Sequence, residues 1–130
     1  MSQFEKHFTV GEARRLIPDL KRKFQELHDL RDAIKVGAPR HEEARKSSEG
    51  NGGGGDQAVS YLEANVRFQE ILKGMAELGI QVKDVGRGLV DFPHMMDGNE
   101  VFLCWQLGEE TLSFWHEIEA GFAGRKLLSS

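Results

Sequence analysis

A chain of 130 residues, 39% apolar and 29% charged, is long enough to close one modest core without a disulfide or metal to hold it, and its single cysteine, Cys104, excludes an intrachain disulfide. Its net charge of −4 divides unevenly, with 11 basic and 9 acidic side chains in residues 1–50 against 6 and 12 in residues 51–130. The one basic cluster, Arg14, Arg15, Lys21, Arg22 and Lys23, is too short a patch on an acidic protein for phosphate-dominated binding. Nucleic acid is therefore not expected as a partner, and the cluster reads as a solvated helix face. MSQFEKHFTVGEARR has no apolar run of signal-peptide length, and no stretch is apolar enough to cross a bilayer. No membrane role is expected, and the lone apolar-flanked cysteine points to a reducing, cytoplasmic setting.

Thr9 and Glu12 form a capping box, so a first helix is predicted to begin there. Ala13, Ile17, Leu20, Phe24, Leu27 and Ile34 then recur at heptad spacing along one face, as in a coiled coil, with a kink expected at Pro18. Residues 37–56 lose that periodicity and end in glycines, as a flexible connector does. Asp56 stands where a phosphate loop would need Lys and Ser or Thr, so it reads as the N-cap of the next helix. The second helix carries Tyr61, Ala64, Phe68, Ile71, Met75 and Leu78 on one stripe, widened by Leu62, Val66 and Leu72, and Gly79 ends it. Two such helices predict an antiparallel hairpin whose wide apolar stripe seeks the C-terminal block or a second subunit.

After Gly79 the apolar period becomes two. Asp97-Gly98 is a hairpin turn signal that sets Met96 against Asn99, His94 against Val101, Phe92 against Leu103, Asp91 against Cys104 and Val90 against Trp105. A second two-residue turn at Gly108-Glu109 would set Leu107 against Glu110 and make TLSFWHE a third strand. His94 and His116 then flank Val101 on one face, while Asp91, Cys104 and Ser113 share a row on the other, with Trp115 and Glu117. A helix over 110–120 is the competing reading, because Thr111, Trp115, Ile118 and Phe122 also fit a helical stripe. The predicted fold is α+β in one domain, 1–130: a helical hairpin over 9–79, then a β-rich block over 80–130 holding a three-stranded antiparallel β-meander.

GLVDFP at 88–93, EVFLCWQLGE at 100–109 after Asp97-Gly98, WHE at 115–117 and GFAGR at 121–125 closely resemble a family of small prokaryotic proteins catalogued as a domain of unknown function, number 2203. FTVGEARRLIPDL at 8–20 and the glycines at 51–55 extend the resemblance along the chain. It implies no activity, cofactor or partner.

The residues themselves offer chemistry. Asp91 in an apolar strand must be exposed, paired or functional, and a salt bridge to Arg87 or Arg125, closing the GFAGR tail onto the sheet, is the leading reading. Arg87, Asp91, His116 and Arg125, with Glu117 beside them and Trp105 or Trp115 as a wall, form a candidate pocket for a small polar or anionic ligand. His94 and His116 are weak metal candidates, because no HxxxH, HExxH or CxxC spacing accompanies them. The expected function is a homodimeric ligand- or partner-binding module paired through its helices. The alternative is a small metal-assisted enzyme centred on His116 with Asp91 or Glu117.

Overall fold

The computed structural model describes residues 3–46 and 53–129, without the side chains of 37–46 and 53–59. Helix α1 spans Val10–Lys46 and helix α2 Gly53–Glu77. Five strands follow, β1 (Gln81–Asp84), β2 (Leu89–Met96), β3 (Asn99–Gln106), β4 (Phe114–Glu117) and β5 (Lys126–Leu127). They form one antiparallel sheet in the order β1-β2-β3-β4-β5. The architecture is α+β, and the sheet has five strands rather than the expected three. The two additions are short edge strands of four and two residues, lengths at which alternation gives almost no signal.

The capping box closes as expected: the Thr9 amide donates to Glu12 Oε1 at 2.8 Å and the Glu12 amide to Thr9 Oγ1 at 3.0 Å. Helix α1 continues through Pro18 to Lys46, so much of the expected connector is helical. Ala, Glu, Arg and Lys in this stretch favour helix without needing an apolar face. Asp56 likewise lies inside α2 rather than capping it. Residues 47–52, the rest of the expected connector, lie outside the described residues.

At the other end of α2 the Gly79 amide bonds the Ala76 carbonyl at 3.0 Å and the Ile80 amide bonds Met75 at 3.1 Å, with Gly79 at φ 93°. Those two bonds and the positive φ make a Schellman cap. The chain leaves it directly into β1.

One face of the sheet packs on the helices. Ala13, Ile17, Leu20, Phe24 and Leu27 of α1 and Ile71 and Met75 of α2 bury against Val90, Phe92, Leu103 and Trp105. The widened α2 stripe is not all core, because Leu62 and Val66 stay 58% and 60% exposed and Leu78 is exposed as well.

The β2–β3 register matches the expected one at every pair from Met96↔Asn99 to Val90↔Trp105. Asp97 at φ 51° and Gly98 at φ 82° form the turn that fixes it. β4 is a strand, not a helix, but it is displaced by one residue. Phe102 faces His116 and Cys104 faces Phe114, where Val101 and Ser113 were the expected partners.

The displacement begins at the turn. The Glu109 amide bonds the Gln106 carbonyl at 3.0 Å, which puts Leu107 and Gly108 at the centre, one position earlier than expected. Residues 110–113 then leave the ladder while Leu112 enters the core, fully buried, and its carbonyl accepts from Arg14 Nε at 3.1 Å. Burying Leu112 outweighs a continuous ladder over these few residues. A slip of one residue turns every side chain of a strand to the other face.

Candidate metal centre

The slip decides the site. Asp91 on β2 and Cys104 on β3 are direct cross-strand partners on the sheet face away from the helices, and the displaced β4 brings His116 onto that face. One ligand-type atom from each of Asp91, Cys104 and His116 lies within 4.8 Å of the others. The three residues are only 3%, 1% and 2% exposed, respectively.

His116 is held from both sides. Its Nδ1 lies 2.7 Å from the Glu117 carbonyl, which can only accept, so Nδ1 carries a hydrogen. Its Nε2 faces Asp91, at 3.0 Å from Oδ1 and 3.1 Å from Oδ2. A buried His–Asp pair satisfies its own polar atoms and needs no thiol beside it. Cys104 nevertheless completes the group, with Arg125 Nη1 3.9 Å from its sulfur.

A small cavity of about 210 Å³ opens beside the three, lined by Lys83, Leu89, Phe102, Ile118, Gly121 and Phe122 in addition to Asp91, Cys104 and His116. Its wall is assembled from the tail, where Gly121 stands at φ 68° and the chain makes a 3₁₀ turn at Phe122–Gly124 before pairing as β5.

The other expected site residues are dispersed. Arg125 closes the tail onto the sheet as anticipated, but through Glu109 and over the Phe114 ring at 3.8 Å, not through Asp91. Arg87 bonds Gln106 Oε1 at 3.1 Å and stacks on Phe122 at 4.4 Å. The salt bridge from Asp91 to either arginine is thus replaced by the Asp91–His116 pair.

Trp105 is a core residue, packed on Phe24 with its indole N–H on the Glu109 carbonyl at 3.1 Å. Trp115 and Glu117 fall on the opposite sheet face from His116, in register with Leu103 and Val101, so neither side chain walls the cavity. Glu117 contributes through its backbone carbonyl alone. His94 donates from Nδ1 to the Phe8 carbonyl at 2.6 Å, and the His94–His116 metal pair does not form because the two lie on opposite faces.

Cys104 is absent from the candidate residues that the sequence suggests, and its approach to His116 follows from the register of β4. Asp91 and Cys104 were expected in one row with Ser113; in the observed register Phe114 faces Cys104, and His116 follows two residues along on the same face.

Three such ligands suit a thiophilic divalent cation. Zn²⁺ binds sulfur at about 2.3 Å and nitrogen or oxygen at about 2.0–2.2 Å. Tetrahedral ligation at those lengths sets ligand atoms about 3.5 Å apart, inside the 4.8 Å that bounds the three atoms here. The Nδ1–H to carbonyl bond is the outer support that ligating histidines have, fixing the tautomer and aiming Nε2.

The family described as an uncharacterised conserved protein, DUF2203, matches residues 6–128, nearly the whole chain, and the chain belongs to it. No curated protein and no solved structure matches the chain.

Proposed function

We propose that this member of the DUF2203 family is a metal-binding protein in which Asp91, Cys104 and His116 hold one thiophilic divalent cation of the Zn²⁺ type. The observation that carries the reading is the convergence of a carboxylate, a thiol and an imidazole from three adjacent strands on one buried point. Three protein ligands would leave a fourth position, and the adjoining cavity, which the same three residues line, offers room for a small ligand to take it. That arrangement is typical of catalytic centres, in which the cation polarises a bound ligand or activates water, whereas structural centres are closed by four protein ligands. The reading therefore favours the metal-assisted alternative over a purely structural partner-binding block, with Asp91 rather than Glu117 as the carboxylate.

Equilibrium dialysis of the purified protein against micromolar Zn²⁺ tests it. One ion per chain is expected, falling well below one in Cys104→Ser, a nearly isosteric change that leaves the core packed. No stoichiometric Zn²⁺ in the wild-type chain, or equal uptake by Cys104→Ser, contradicts it.

A further inference from the structure

We propose that the cavity beside the three ligands takes a small carboxylate, one oxygen of which completes the cation's coordination while the other pairs with Lys83. The inference rests on the metal reading above and goes on to name the class of ligand that the open position serves.

The charge balance supplies the first argument. A divalent cation bound by the Asp91 carboxylate and a Cys104 thiolate is formally neutralised. The nearby Arg125 is already committed to Glu109, and Arg87 is bonded to Gln106. Lys83 is different. It lines the cavity, and among the described residues it makes no ion pair, its Nζ bonding only Gln81 Oε1 at 2.8 Å. Once the cation has neutralised Asp91, this ammonium is the uncompensated charge at the cavity, and an anion is the ligand that it favours.

Position supplies the second. Lys83 Nζ sits 5.1 Å from the centroid of the Phe102 ring, and the His116 imidazole sits 5.4 Å from the same centroid. Ammonium and imidazole thus both lie near the Phe102 ring and both line the one cavity, which a short ligand would bridge. Leu89, Ile118 and Phe122 contribute apolar side chains to the remaining wall. Size supplies the third, since about 210 Å³ is roughly seven times the ~30 Å³ that a water occupies in the liquid, which limits the occupant to a few heavy atoms around its carboxylate.

Cobalt(II) in place of zinc gives the test an optical signal from the metal itself. The wild-type chain, Lys83→Met and Lys83→Arg are loaded with Co²⁺, bound metal is measured, and acetate is added against sodium chloride at equal ionic strength. Lys83 is exposed on an edge strand, so these variants leave the core untouched. Acetate is expected to shift the cobalt d–d bands in the wild type. The half-saturating concentration should rise about tenfold in Lys83→Met, the loss of one charge-assisted bond, and stay near wild type in Lys83→Arg. Cobalt-loaded wild type that ignores acetate, or a Lys83→Met variant that responds as wild type does, overturns the carboxylate inference and leaves the metal reading standing. Failure to take up cobalt with a thiolate charge-transfer band overturns both.

Discussion

Cys104 is buried beside Asp91, and burial together with that carboxylate's negative charge pushes its thiol up to about 12. The thiolate is the nucleophile, so Cys104 has no intrinsic role as one in the metal-free protein. Iodoacetamide at pH 8 is expected to leave the native metal-free chain unlabelled over a time in which the urea-unfolded chain is fully modified. Rapid labelling of the native form would contradict this burial. The same shift has a sign for stability. The unfolded thiol loses its proton near its ordinary value of 9.0 while the native one keeps it, so stability falls as pH rises from about 9 towards 12. A bound cation reverses the local preference, because a coordinating thiol is deprotonated outright. At this scale the sequence was informative about Asp91 and Cys104, whose cross-strand pairing follows from one turn signal. It was uninformative about what faces Asp91, since that depended on a strand two turns away.

Among the elements, the β1–β2 connection depends on one glycine. Gly88 stands at φ 63°, and a Cβ built on it would lie 2.6 Å from the Leu107 Cβ, while its carbonyl accepts the Leu107 amide at 3.0 Å. Gly88→Ala is therefore expected to cost about 2–3 kcal/mol, from left-handed strain plus a clash that neither backbone can relieve cheaply. Urea denaturation checks this, and a loss under about 0.5 kcal/mol, the range of a neutral surface change, would contradict it.

The N-terminal segment is tied down by Glu100, whose carboxylate accepts from the Gln3 amide at 2.7 Å and the Phe4 amide at 3.1 Å and meets His7 Nε2 at 2.6 Å. Burial alone would raise this carboxyl, but the His7 and backbone bonds outweigh it and hold it below the usual carboxylate range. A lowered native value means that the stabilisation is present above the ordinary range and is lost as pH falls through the native value. Amide exchange, corrected for its intrinsic pH dependence, should show Gln3 and Phe4 losing protection on acidification. Glu100→Gln should lack most of that pH response, and an identical response in the variant would contradict the assignment.

The elements divide by legibility in the same physical way. Capping box, Schellman glycine and Asp97-Gly98 hairpin are local rules and were readable. The β3–β4 register was not, because it was decided by Leu112 seeking a core made of residues far away in sequence.

For the molecule as a whole, the five-stranded sheet separates two tasks. One face gives its large apolar side chains to α1 and α2, and the other buries a small polar group under the tail. Among the described residues no helix is long and apolar enough to cross a membrane. Leu62 and Val66 lie one helical turn apart on α2 and are exposed, and they are the residues that the pairing of two chains expected from the sequence would use. Sedimentation at micromolar concentration should then give the mass of two chains, and a single-chain mass would remove the dimer without touching the metal site.

That site is the central claim, and zinc K-edge X-ray absorption of the metal-loaded protein tests it most directly. The expected spectrum has one sulfur neighbour at about 2.3 Å with nitrogen or oxygen neighbours at about 2.0–2.2 Å, and it loses the sulfur shell in Cys104→Ser. A first shell of nitrogen and oxygen alone in the wild-type protein would contradict it.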